Sequence, residues 1–482
     1  MQKLIENYKR IPIQGRASFW FLICAFFQKG ISFITTPIFT RLLSTAEYGQ
    51  YNVFNSWLGI ITVIVTLNLY LGVYSSGLVK FEEKRNEFSS SLQGLTLTLV
   101  SFWTIIYLIF HNFWNKLFSL STIQMLLMLM LMWTTAVFAF WSVEQRTDFK
   151  YKNLIIVTIA VSIAKPLVGI ILISFAEDKV TARIFGLVLV ESVCYIWFFF
   201  DQMKRGRQFY SKEFWKYALA FNIPLIPHYL SMSVLNGADR IMIGRMVNDS
   251  AAGIYSLSHS ISMIMTMFNT SLMQTIEPWL YRKIKERRIE DISKVAYPSF
   301  IIIAVANILL IAFSPETVTL FAPSEYHEAI YVIPPIAMSV YFMFSYSFFA
   351  VFEFYYSRTR QIAAATMAGG IMNIILNYIF INIFGYYAAG YTTLLCYILY
   401  ALFHYISMKK TCREELNGMQ PYSTKLYLII TIAFLGIGFL FLFSYKYTIL
   451  RYGLIAFIVL FSVVEKNKII KSLQNIVSLR RQ

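Results

Sequence analysis

Long apolar runs of about twenty residues recur from near the start of the chain almost to its end, separated by short polar stretches that hold most of the charge. A hydrocarbon core about 30 Å thick needs roughly 20 apolar residues per helical crossing, and about fourteen runs reach that length. They lie near 17–40, 51–72, 92–111, 117–141, 154–175, 181–200, 215–236, 251–273, 296–314, 329–352, 361–382, 386–408, 426–445 and 448–464. Runs such as LIIVTIAVSIAKPLVGIILISF are apolar on both parities, whereas a barrel strand is apolar only on alternate residues. The pattern therefore predicts an all-α integral membrane protein of about 14 transmembrane helices.

Composition agrees: 57% of the 482 residues are hydrophobic and only 14% charged, which leaves no room for a soluble catalytic domain. Cys24, Cys194, Cys396 and Cys412 are scattered, with no CxxC and no His at ligand spacing, so neither disulfide, metal nor other cofactor is expected. The start, MQKLIENYKRIPIQGR, lacks a small-residue cleavage site and reads as the flank of an uncleaved first span inserted in the plasma membrane.

The net charge of +17 would suit nucleic acid, but its placement points elsewhere. When the loops are assigned alternately, KFEEKR (80–85), KRGRQFYSK (204–212), YRKIKERRIEDISK (281–294), KKTCREE (409–415) and the tail from Glu465 to Arg481 all fall on one side. This is the cytoplasmic side by the positive-inside rule, so both termini are expected inside and nucleic acid is not a partner. The outer stretch around 315–328 has Glu316, Glu325 and Glu328 but no Lys or Arg. In WLYRKIKERRIEDISKV, Leu280, Ile284, Ile289 and Ile292 are near helical spacing, which predicts a helix resting on the inner leaflet.

One outer turn is repeated. Shifted by 204 residues, RLLSTAEYGQY (41–51) falls on RMVNDSAAGIY (245–255), aligning Arg41 with Arg245, Gly49 with Gly253 and Tyr51 with Tyr255. Each segment follows an odd-numbered span and leads into the next. The expectation is two six-helix repeat lobes, 1–203 and 204–410, followed by two extra C-terminal helices and a basic tail in 411–482. Parallel repeats in transporters enclose a site near the bilayer midplane. Arg41, Gly49, Arg245 and Gly253 read either as parts of a repeated outer gate or as headgroup anchors and helix-packing glycines.

PIFTRLLSTAEYGQYNVFNSW (37–57) and FNIPLIPHYLSMSVLNGADRIMIGRMVNDSAAGIYSLSHSI (221–261) resemble the Wzx-type polysaccharide flippases of the multidrug/oligosaccharidyl-lipid/polysaccharide exporter superfamily. The resemblance implies a transporter, not an enzyme. Its substrate would be an undecaprenyl-diphosphate-linked oligosaccharide of O-antigen, capsule or similar type, moved across the bacterial plasma membrane by alternating access. Membrane lipids, other polysaccharide assembly proteins and a coupling ion, proton or sodium, are the implied partners.

Charges within spans cost about 2.5 kcal/mol or more at a helix centre, so those present should face protein or water. They include Lys29, Lys165 beside Pro166, and Glu191, with Asp239 and Arg240 closing the seventh span. Lys29, Lys165 and Arg240 are the candidates for binding a diphosphate. Each has a structural alternative: Lys29 pairing with Glu191 or snorkelling, Lys165 held by carbonyls that Pro166 frees, and Arg240 held by Asp239. Pro224 and Pro227 in IPLIPHYL predict a bend where a lobe could hinge, with His228 either proton-sensitive or structural. Asn222, Asn236, Asn68, Asn373 and Asn377 could meet sugar hydroxyls or bond between helices. An ion-coupled drug or cation antiporter of the same superfamily would need intramembrane acids, of which Glu191 is the clear example. A membrane polysaccharide polymerase would need a large external loop, and the outer loops are short.

Overall fold

The computed structural model describes residues 12–464 and is built of helices, with no strand among the described residues. Contacts divide the chain into two compact units, Met1–Gly237 and Ala238–Gln482. Unit 1 contains α1 (Ile13–Leu42), α2 (Thr45–Thr66), α3 (Val73–Lys80), α4 (Arg85–Ile109), α5 (His111–Phe118), α6 (Thr122–Thr147), α7 (Tyr151–Phe175), α8 (Lys179–Gly206), α9 (Lys212–Asn222) and the first part of α10 (Ile226–Met246). Unit 2 holds the end of α10, then α11 (Asp249–Ser262), α12 (Ile264–Lys285), α13 (Glu290–Ala312), α14 (Ser314–Phe321), α15 (Ile333–Tyr355), α16 (Thr359–Phe384), α17 (Tyr387–Glu415), α18 (Thr424–Ser444) and α19 (Thr448–Val464).

Each expected span falls mainly on helix, although residues 67–72, the end of the second, form a turn, and 11 of the segments are long and apolar enough to cross a membrane. The three others differ for visible reasons. α2 carries Glu47, Gln50, Asn52 and Asn55 in its first turns, the eighth span is interrupted at Met263 between α11 and α12, and the last is short. The chain is a multi-pass membrane protein. The expected cytoplasmic tail and the first eleven residues lie outside the described residues.

The repeated turn is a pair of helix caps. Residues Leu42 and Met246 end one helix, Thr45 and Asp249 begin the next, and both pairs are 204 residues apart. First-turn amides have no partner within their helix, so a side-chain acceptor is needed just ahead of them. Ser44 Oγ accepts from Glu47 N at 3.2 Å while Glu47 Oε2 accepts from Ser44 N at 2.7 Å, a reciprocal capping box. Asn248 Oδ1 accepts from Ala251 N at 2.8 Å at the equivalent place. Gly49 and Gly253 lie buried inside the helices that follow, not in the turns.

Two further features position the site. Between α9 and α10 the chain passes through a 3₁₀ turn, Ile223–Leu225, containing Pro224; Pro227 then takes the first turn of α10, where a missing N–H costs nothing. The stretch 279–295 corrects the leaflet expectation: Leu280, Ile284, Ile289 and Ile292 are all at most 1% exposed and belong to the apolar core of unit 2. That core holds Phe300, Tyr341, Phe344, Phe348 and Phe349, so the four aliphatic side chains bury against protein, while Arg282, Lys285, Arg287 and Arg288 face outward and Lys283 is buried with the core.

Candidate functional site

Within unit 1 a cavity of about 220 Å³ opens between α1, α2, α7 and α8. Gln28, Ser32 and Thr35 line it from α1 at spacings of four and three residues, so one face of an apolar helix presents a polar stripe. Opposite are Ser162 and Lys165 of α7, one turn apart, and Arg183 near the start of α8. Tyr51, from the repeated stretch, completes the wall.

Lys165 was expected either to meet substrate or to be held by backbone carbonyls. Its ammonium instead sits 2.6 Å from Glu191 Oε1, with 29% of its side chain still exposed. Glu191 is 4% exposed, and its second oxygen accepts from Thr134 Oγ1 at 2.7 Å and Thr135 Oγ1 at 3.0 Å. A buried carboxylate needs this number of donors to offset lost hydration. The partner proposed for Lys29 is thus taken by Lys165. Lys29 is exposed, does not line the cavity and has no partner among the described residues.

Arg183 supplies the second cation. Its guanidinium lies 3.6 Å from the ring centroid of Phe39 and 3.5 Å from that of Tyr51, with Tyr48 at 5.9 Å. Two aromatic faces hold the fork flat, which fixes its orientation. Sequence reasoning missed this residue because a cation at the margin of a span reads as an interfacial anchor. Counting Lys165, Arg183 and Glu191 as charged, the wall carries one net positive charge. At about 4 Å and an effective dielectric near 20, each cation is worth roughly 4 kcal/mol of attraction to an anion before desolvation.

The other candidates lie elsewhere. Arg240 Nη2 is 2.6 Å from His259 Nδ1 in unit 2. Its neighbour Asp239, 4% exposed, turns to other donors: Tyr255 Oη at 2.6 Å, Asn377 Nδ2 at 2.5 Å and Thr393 Oγ1 at 3.0 Å. Asn377 is in turn bonded to Asn373 at 3.3 Å and to Thr392. Asp239, like Glu191, is therefore an enclosed carboxylate met by several donors. Asn222 donates Nδ2 to the carbonyls of Leu67 at 2.8 Å and Asn68 at 2.9 Å, two successive residues at positive φ just past α2. This commits the amide nitrogen to holding a strained turn. His228 is half-buried with Nδ1 unpartnered, Asn236 bonds its own helix at Met232 O, and Asn68 Oδ1 accepts from Tyr70. Arg41 and Arg245 are exposed at helix ends, the former donating to Pro37 O at 2.8 Å. Among the described residues no His, Cys, Asp and Glu group is arranged to hold a metal ion.

The family described as polysaccharide biosynthesis protein matches residues 15–283. A protein of the Lsg locus of Haemophilus influenzae is 21% identical over 209 residues, 42% of this chain and 52% of its own length, so the chain spans about half of that relative. An uncharacterized membrane protein of the same organism is 18% identical over 71% of this chain and 84% of its own. Among solved structures, an inward-facing multidrug resistance MATE family transporter of the MOP superfamily superposes with a TM-score of 0.60 at 13% identity, covering 80% of this chain and 95% of that one. A MOP superfamily transporter from Pyrococcus furiosus, reported to have a binding pocket of reversed polarity, gives 0.51 at 13% identity over 83% and 95%. These structures show a shared transporter fold. With more than half of its length inside the matched region, the chain belongs to the polysaccharide biosynthesis protein family, as its resemblance to Wzx-type flippases implied.

Proposed function

We propose that the protein flips an undecaprenyl-diphosphate-linked oligosaccharide across the bacterial plasma membrane by alternating access, and that Lys165 and Arg183 receive the diphosphate. The observation that carries this reading is the pairing of two cations on one cavity inside membrane helices. An anionic diphosphate cannot cross hydrocarbon unescorted, and fixed cations in a low-dielectric wall attract it more strongly than they would in water. Lys165 keeps N–H groups beyond the one given to Glu191, and the planar Arg183 suits phosphate oxygens. The polar stripe of Gln28, Ser32 and Thr35 offers hydrogen bonds to the first sugar. Asp239, enclosed by hydroxyl and amide groups that can turn their oxygens inward, is the place we assign to a coupling cation, proton or sodium.

A drug or cation antiporter would need a carboxylate open to its substrate. Glu191 is already met by Lys165 and two threonines, so the cavity favours anions. Binding of an isoprenyl diphosphate to the purified protein tests the assignment. Replacing Arg183 or Lys165 by Ala removes a charge-assisted bond of about 1.5–3 kcal/mol, so affinity should fall roughly 10- to 100-fold. Unchanged affinity in both variants would rule the assignment out.

A further inference from the structure

One face of α1 continues past the cavity in unit 1. Phe21, Cys24, Gln28, Ser32, Thr35 and Phe39 follow one another at steps of three and four residues, so they form a single stripe along the helix. Gln28, Ser32 and Thr35 carry its polar groups into the cavity, and Phe39 ends it against Arg183. At the opposite end the ring of Phe21 lies 5.9 Å from the guanidinium of Arg146, in the last turn of α6. Arg146 is also close enough to Cys24, one turn along, for their charges to interact. At the helical rise per residue, Phe21 and Phe39 are about 27 Å apart along α1, close to the thickness of a hydrocarbon core. Lys165 stands between these ends, among the polar side chains.

The acids nearest to Arg146 in sequence are already matched. Glu144 meets Arg205 at 2.6 Å and Gln202 at 2.8 Å, while Asp148 meets Arg85 at 2.8 Å and Lys150 at 2.9 Å. Each is two residues away on α6 or at its end, which places it across the helix from Arg146. Among the described residues the Arg146 side chain forms no ion pair and no hydrogen bond, and it is exposed. A cation in a last turn complements the helix dipole wherever it points. That role does not require a place on the α1 stripe, where Arg146 repeats the pairing at the other end, an arginine against a phenylalanine ring.

We infer that Arg146 is a docking point for the phosphate groups of the transported lipid, at the end of the α1 stripe away from Arg183, from which the headgroup reaches Lys165 past Gln28. The inference rests on the flippase reading for the identity of the cargo. A diphosphate is much shorter than the stripe, so it meets Arg146 and Arg183 in succession and not together. The uncharged amide and hydroxyl groups between them give hydrogen bonds without holding the anion in place.

The test is equilibrium binding of an isoprenyl diphosphate to the purified full chain in detergent, in the background Lys165→Met/Glu191→Gln/Arg183→Ala, which removes the cavity cations without stranding an acid. Residual binding is expected there. Adding Arg146→Ala should weaken it about tenfold or more, Arg146→Lys should keep part of it, and the matching isoprenol should bind all variants alike. No residual binding, or residual binding that Arg146→Ala leaves unchanged, overturns the inference while the cavity assignment stands. If the background variant binds as tightly as the wild type and only Arg146→Ala weakens binding, the cavity assignment falls and the docking point stays. Phosphatidylglycerol separates the two sources of lipid phosphate: competition at Arg146 as effective as that of the diphosphate makes the residue a general headgroup anchor and overturns the inference. Should the background variant not fold, Arg146→Ala in the otherwise intact chain decides, with capture of the diphosphate slowed about tenfold; an unchanged rate overturns the inference.

Discussion

Replacing Lys165 by Met separates structure from function at the cavity. The substitution keeps the volume but strands Glu191, which is 4% exposed and loses a donor at 2.6 Å. Removing one member of a buried pair costs about 3–5 kcal/mol. Here two threonine donors remain and the lysine is 29% exposed, so the loss should lie near about 2–3 kcal/mol. Glu191→Gln deletes the charge while keeping an acceptor, and should cost about 1 kcal/mol. The double variant contains neither charge and should recover most of the stability lost by Lys165→Met. Its affinity for isoprenyl diphosphate should nevertheless stay low, because the cation that meets the ligand is gone. Thermal unfolding in detergent and equilibrium binding read the two effects separately. If the double variant regains both wild-type stability and wild-type affinity, Lys165 is only a strut for Glu191 and the binding argument collapses.

Asn222→Ala leaves the carbonyls of Leu67 and Asn68 without their shared donor beside two left-handed residues; the fold should lose about 2–4 kcal/mol, with faster amide exchange in residues 66–72. Asp239→Asn keeps an acceptor for Tyr255 and Thr393 but removes the charge, so the protein should fold while transport loses its response to an imposed proton or sodium gradient; a retained response would clear Asp239 of that role. In the stretch Ser324–Tyr331, hydrogen bonds from Tyr386 and Tyr387 hold the Glu328 carboxyl below its usual range. Its stabilisation is therefore present above the ordinary glutamate range and lost on acidification, so the Tm gap between wild type and Glu328→Gln should close as pH falls below about 4.

The helical architecture was legible because a membrane span is a local property, and each apolar run between 17 and 464 falls mainly on helix. The 204-residue echo was legible too, since cap residues must stand just ahead of the helix they start, as Ser44 and Asn248 do. Pairings were not. Lys165 was singled out, but nothing in its neighbourhood names Glu191, 26 residues away on another helix, as its partner. Arg183 was overlooked because its meaning comes from Phe39 and Tyr51, more than a hundred residues earlier in the chain. The same limit hid Arg146, which meets Phe21 only when α1 and α6 come together. Amphipathic spacing in 280–292 was read correctly, yet the surface it covers proved to be protein, which periodicity alone cannot distinguish from lipid.

The central claim is tested most directly in proteoliposomes that carry an isoprenyl-diphosphate-linked oligosaccharide in one leaflet, with a glycosidase added outside to report glycans that cross. The account predicts protein-dependent exposure of the glycan, abolished by Arg183→Ala in a protein that still folds. Exchange of organic cations for protons by the same vesicles, with no glycan exposed, would contradict it.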